Sequence, residues 1–234
     1  GRRTWLDPRR GGRQAVAEAA RNVACTGGRP LAITNCLNFG NPERGETPYM
    51  FVESVEGMAE ACEALHAPVV SGNVSLYNEH SGGPIPPSPI VGCVGLIEDA
   101  ACAIGAAPQS GATIVLLGDA EPSVDGSEYQ AYVFGSVAGR IPDVDLEAEA
   151  HLIDLLVEAA AQGITHAAHD AAEGGLAVAA AEMAIAGRVG IEIELPELAM
   201  RDDITLFGEP GGGLVLVAVN DADAMLDLAT RHGV

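Results

Sequence analysis

Small and apolar residues recur at helical spacing from Gly12 to Ala24. Val16, Ala19, Ala20, Val23 and Ala24 share one stripe, and Gly27-Gly28 supplies a stop. Pro30 follows, and LAITNC reads as a short strand before a Gly-, Pro- and Asn-rich loop, LNFGNPERGETP. Thr47 as N-cap and Pro48 at the first helical position predict a second helix. Its expected inner face is Phe51, Val55, Met58, Ala59, Cys62 and Leu65, and Pro68 lies beyond its end. Val69-Val70 predicts a strand that leaves into the polar stretch SGNVSLYNE. GGPIPPSP is too proline-rich for a central strand, and IVGCVGLIE predicts a buried one.

The pattern restarts after GAAPQSG (Gly105 to Gly111). ATIVLLG predicts a new strand, so a second unit is expected, with domains at 1–108 and 109–234. Asp145 caps a predicted helix with Leu146, Ala150, Ile153, Val157 and Ala160 inward, and Glu147 and Glu149 suit its positive end. HAAHDAAEGG reads as a loop, LAVAAAEMAIAG as an Ala-rich helix closed by Gly187, and IEIEL as a half-exposed strand. GGGLVLVAV reads as a buried strand and DADAMLDLATRH as a last helix. Mixed strands and helices, some alternating and some continuously apolar, predict an α+β or α/β sandwich.

Composition narrows the function classes. At 234 residues and 48% hydrophobic, the chain has enough apolar material for one large or two small cores. Charged residues and glycines interrupt every apolar run short of membrane-spanning length. Five cysteines, with no CxxC, suit a reducing compartment and hence the cytoplasm, and the six His show no zinc-ligand spacing. The net charge is −21, and all 12 basic residues are Arg, five of them within the first thirteen positions. The remainder offers no basic track for nucleic acid. Without lysine there is no P-loop, so a bound nucleotide would depend on metal ions, Arg and backbone N–H groups. The opening GRRTWLDPRRGGR has no initiator Met, and both ends fall inside predicted elements, so a piece of a longer protein is expected.

Three stretches could carry chemistry. In SGNVS, Gly72 lets a ligand approach the backbone, Asn73 offers a neutral oxygen to a magnesium ion, and Ser75 offers a hydroxyl to a phosphate; Glu79 could add a carboxylate. A polar turn whose side chains bond their own backbone explains the same residues, and spacing alone favours that turn. AITNCLNFGNP clusters Asn35, Asn38 and Asn41 at a strand end, where ligands gather in layered α/β proteins and where Asx turns are equally common. His169-Asp170 precedes Gly174-Gly175 at a helix start, a place suited to anions, yet a surface or capping pair is the commoner outcome. LFGEPGGG is explained cheaply by glycine-rich turns. GxSxG, HExxH and GxGxxG are missing.

Taken in order, AEAARNVACTGGRPLAITNCLNFGNPE, PVVSGNVSLYNE and PIPPSPIVGCVGLIED resemble the synthetase subunit of phosphoribosylformylglycinamidine synthase, within the aminoimidazole ribonucleotide synthetase-like superfamily. LLGD, VDGSEY, AAHDAAEGGLAVAAAEMA and LFGEP continue the likeness over nearly the whole chain. The resemblance implies a β-rich N-terminal domain followed by an α/β domain, together the second half of a two-half subunit. It implies an ATP-dependent ligase that turns formylglycinamide ribonucleotide and glutamine-derived ammonia into the amidine, with magnesium as cofactor. Glutaminase and small accessory subunits, and a first half of the same chain, are the implied partners. By motif position Asn35 and Gly72 would contact ATP, Asn73 would ligate magnesium and Ser75 would touch the substrate. The family's His-x-His-Pro motif does not occur here, Ala172 stands where the family has Ser, and GGG replaces the Ser and Arg after GEP. The isolated chain is therefore expected to be inactive and prone to self-association, and a non-catalytic nucleotide-binding half is the alternative.

Overall fold

The computed structural model describes residues 1–195 and 200–234. Two short sheets share one bridging helix. The chain opens with helices α1 (Arg2–Leu6) and α2 (Pro8–Ala24), broken at Asp7, whose carboxylate accepts the Arg10 N–H at 3.0 Å while Pro8 opens α2. Strand β1 (Arg29–Asn38), helix α3 (Thr47–Ala64) and strand β2 (Val69–Ser75) form a β-α-β unit. A small hairpin, β3 (Glu79–His80) with β4 (Gly83–Pro84), leads into β5 (Ser88–Leu96). The first sheet has the order β2-β1-β5, with β1 parallel to β2 and antiparallel to β5.

The second sheet has the order β6-β10-β8, all antiparallel: β6 (Thr113–Leu117), β8 (Thr165–Asp170) and β10 (Val215–Val219). Strand β10 is buried along its whole length because both faces are covered. Helices α5 (Leu146–Ala161) and α8 (Ala222–His232) bring Leu152, Leu155, Leu156, Met225 and Leu228 to the Val215, Val217 and Val219 side. Helix α6 (Gly175–Gly187) brings Leu176 and Met183 to the Leu216 and Ala218 side. Short α4 (Glu128–Phe134) and α7 (Asp202–Phe207), with the ribbon of β7 (Pro122–Ser123) and β9 (Glu209–Pro210), close one end.

Several expected elements are redrawn. Helix α2 begins at Pro8 rather than Gly12. The N-cap of α3 is Glu46, so Thr47 is already helical. The buried face of α3 is Ser54, Gly57, Met58, Ala61 and Cys62, and Val55 and Ala59 point to solvent. The reason is close helix packing: a Cβ at Gly57 would lie 2.0 Å from the Arg9 carbonyl, and one at Gly12 2.4 Å from that of Ser54. The strand expected to end at Val70 continues through SGNVS to Ser75, since β1 supplies a hydrogen-bonding edge that far. HAAHD is the strand β8, not a loop, paired to β10. IEIEL (Ile191 to Leu195) forms no strand; Ile191 and Leu195 instead pack onto the core beside α6. Alternation alone does not make a strand, since the backbone must also pair with a neighbouring strand. IVGCVGLIE is only half buried, because Val91 and Cys93 face the helices while Ile90 (62% exposed) and Val94 (59%) point outward.

Candidate functional site

The two candidate motifs meet on the parallel pair. In register, Asn35 lies beside Gly72, Cys36 beside Asn73 and Asn38 beside Ser75. All four site residues expected from sequence therefore fall on neighbouring strands within four register positions, at the carboxyl ends where open α/β units bind ligands. Strand alternation then separates them into two faces. Asn35 and Gly72 share the face of Ile33 and Leu37, and Asn73 and Ser75 share the other. A Cβ at Gly72 would lie 2.3 Å from the Asn35 Oδ1, so only glycine leaves the Asn35 amide its place.

Hydrogen bonding sorts the asparagines. Asn38 donates through Nδ2 to the carbonyls of Cys36 (3.2 Å) and Ser88 (3.3 Å). The Asn41 Oδ1 accepts the Glu43 N–H at 2.9 Å, an Asx turn. Asn78 donates to the carbonyls of Ser75 (2.9 Å) and Phe39 (3.0 Å), and the Ser75 hydroxyl donates to its Oδ1 at 3.2 Å. These three asparagines hold the loops together. The side chains of Asn35 and Asn73 have no such partner among the described residues and remain available. Sequence reasoning passed over Asn78, whose position after a strand end was its only signal.

The other two stretches serve a different purpose. Asp170 is buried facing Arg21, whose Nε lies 3.6 Å from its Oδ2, and the same guanidinium holds the Glu149 Oε1 at 2.6 Å. His169 binds the Asp170 carbonyl through Nδ1 at 2.8 Å and Glu182 through Nε2 at 3.0 Å, so both ring nitrogens are engaged. Buried Glu209, from LFGEP, accepts the N–H groups of Glu128 (2.8 Å) and Gly174 (3.0 Å) and an Arg3 N–H at 2.9 Å. Arg2, Arg10, Arg13 and Arg29 likewise pair with acids between Glu128 and Glu173. Of the five arginines crowded at the chain's start, Arg2, Arg3, Arg10 and Arg13 thus join Arg21 in an electrostatic clasp across the two sheets, and Arg9 pairs with Glu53 and Glu60 of α3. Glu149 lies in the first turn of α5, as expected, and is also fully buried in that clasp. Burial also raises the Glu18 carboxyl above its ordinary range, opposed by nearby Arg21, and it raises the Cys25 thiol strongly.

Residues 1–97 match the family model described as AIR synthase related protein, N-terminal domain, and residues 109–234 match the corresponding C-terminal domain. The chain belongs to the AIR synthase related family. It is 51% identical over 237 residues to phosphoribosylformylglycinamidine synthase subunit PurL of Moorella thermoacetica, covering 100% of this chain and 32% of that protein. Against the same subunit of Thermomicrobium roseum it is 48% identical, over 98% of this chain and 32% of that one. The chain thus spans about a third of the length of the curated relatives it matches. Thermotoga maritima PurL complexed with FGAR shares the fold at a TM-score of 0.78 and 22% identity, covering 99% of this chain and 38% of that one. The same protein complexed with ATP gives 0.71 at 22% identity, over 97% and 36%. These matches agree with the mixed α/β architecture of two AIR-synthase-like domains described above.

Among the described residues no helix is long and apolar enough to cross a membrane, and no group of three or more His, Cys, Asp or Glu side chains is placed to hold a metal ion. The Asn73 amide, without a partner among the described residues, offers a neutral oxygen that could hold a metal ion.

Proposed function

We propose that this chain is the second half of the synthetase subunit of phosphoribosylformylglycinamidine synthase, divided into domains at 1–108 and 109–234, working in the cytoplasm. In the reaction the ATP γ-phosphoryl group passes to the amide oxygen of formylglycinamide ribonucleotide, releasing ADP. Ammonia from a glutaminase partner attacks the activated carbon, and phosphate leaves as the C–N bond forms and a proton is lost. Asn35 and the Gly72 backbone hold ATP, Ser75 contacts the ribonucleotide, and Asn73 holds magnesium, which when bound neutralises phosphate charge. A chain without lysine handles phosphate in this way, through main-chain donors and a cation. The observation that carries the reading is the Asn35–Gly72 pairing on parallel strands, in a chain whose relatives at 51% and 48% identity are named as this subunit. Replacing Asn73 with Leu in the full-length subunit should abolish magnesium-dependent turnover, and unchanged turnover would rule out the metal role.

The C-terminal portion favours a second reading, a nucleotide-holding half whose chemistry occurs at the sister half. Asp170 and Glu209 are occupied by Arg21 and Arg3, and Gly211 to Gly213 bring no side chain. The outward face of the first sheet, with Ile90, Val94 and Leu96 exposed beside Val70 (68%), supports pairing with that sister half. The 234-residue chain alone is therefore expected to self-associate and to lack ligase activity. Bound ADP that resists exchange during turnover supports this second reading, and rapid exchange at every site counts against it.

A further inference from the structure

Tyr77 has a backbone φ of +62°, a left-handed conformation that is unfavourable for a bulky non-glycine residue. The loop enforces it. The Tyr77 N–H donates to the Gly40 carbonyl at 2.9 Å, the Asn78 N–H to that of Phe39 at 3.1 Å, and the Asn78 amide ties Ser75 to Phe39. Glycine or asparagine would make this turn at lower cost. Yet the position holds a tyrosine whose side chain gains little from the core, being 58% exposed. The strain therefore has no return inside the chain, and the ring stands where LNFGN and SGNVS are bound together, two residues past Ser75.

We propose that Tyr77 is a stacking platform that positions the planar base of the bound nucleotide at the carboxyl end of the parallel strand pair. This rests on the ATP-binding reading above. Asn35 and Gly72 address the phosphate end of the ligand, and none of the four motif residues offers an apolar face for a base. An exposed aromatic ring carried on a backbone fixed in αL supplies that face. Stacking tolerates any π-surface, so the ring would set affinity and orientation more than base identity.

The test uses the full-length subunit with magnesium and compares ATP with inorganic tripolyphosphate, which lacks the base, by calorimetric titration. Tyr77→Phe should bind ATP within about twofold of the parent, keeping the π-face. Tyr77→Gly and Tyr77→Asn should melt no lower than the parent, since both suit the left-handed turn, yet bind ATP about tenfold or more weakly. Their affinity for tripolyphosphate should stay unchanged. Equal losses for both ligands, or no loss for ATP, would overturn the proposal. So would a weakened ATP affinity accompanied by a changed assembly mass, which would place the ring against a protein partner. If the parent itself binds tripolyphosphate but not ATP more tightly, the platform fails while the phosphate site stands; if it binds neither, the nucleotide reading falls with it.

Discussion

Replacing Arg21 with Met tests the clasp most directly. Arg21 is 4% exposed and is the guanidinium that faces both buried Glu149 and buried Asp170. At an effective dielectric of about 20, unit charges about 4 Å apart attract by about 4 kcal/mol. Removing one partner of a buried pair costs about 3–5 kcal/mol, because the remaining charge stays desolvated. Here two carboxylates would be stranded, so the upper part of that range is expected, against a total domain stability of about 5–15 kcal/mol. A protein of several domains gives no single unfolding free energy, so the assay must be local. Hydrogen exchange followed by mass spectrometry on the full-length subunit should show amides of α2, α5 and β8 losing about three to three and a half decades of protection. Adding Glu149→Gln to the same chain should restore about half of that loss. A change under tenfold in those elements would refute the reasoning, because it would mean that the carboxylates are neutral or hydrated in the folded state.

Gly72→Ala should weaken ATP binding at least about tenfold in the full-length subunit and also lower its melting temperature, since the Cβ would lie 2.3 Å from the Asn35 Oδ1 and 2.5 Å from the Asn35 carbonyl oxygen; calorimetric titration reads the first effect and a melting curve the second. Gly57→Ala should destabilise the α2–α3 contact by about 1–3 kcal/mol, read as lost exchange protection confined to those two helices, because its Cβ would strike the Arg9 carbonyl. Glu18→Gln should raise the melting temperature at neutral pH. The native state holds that proton more tightly than the unfolded chain, so stability is full below the ordinary carboxylate pKa and declines as pH rises through the raised value. Melting curves of parent and variant should converge as the pH falls below the ordinary carboxylate range, and a gap that widens in acid would contradict the assignment.

Much of the fold was legible because single-element signals agreed. The Gly12 to Ala24 stripe, Asp145 as cap and the VLVAV run each appear in the structure, the cap accepting the Glu147 and Ala148 N–H groups at 3.0 and 3.1 Å. Errors arose where a partner element decided the outcome. HAAHD became a strand because β10 pairs with it, and IEIEL joins neither edge of that sheet but packs Ile191 and Leu195 against the core beside α6. The face of α3 turned toward Ser54 and Gly57 because α2 needed close approach more than it needed Val55. The asparagine clusters divided by hydrogen bonding that spacing cannot reveal: Asn38, Asn41 and Asn78 bind backbone, and the side chains of Asn35 and Asn73 bind none among the described residues.

Periodicity, caps and turn residues by themselves determined most of the helices of this chain and its buried strand β10. Those are local properties, read within a few residues of chain. Only the tertiary structure decided that Asn35 lies against Gly72, that Arg21 grips Glu149 and Asp170 while Arg3 grips Glu209, and that Tyr77 is held in a strained turn. Each of these depends on groups between about 35 and 210 positions apart. Their meeting is set by sheet register and helix packing, and the chain's own order carries no direct mark of it.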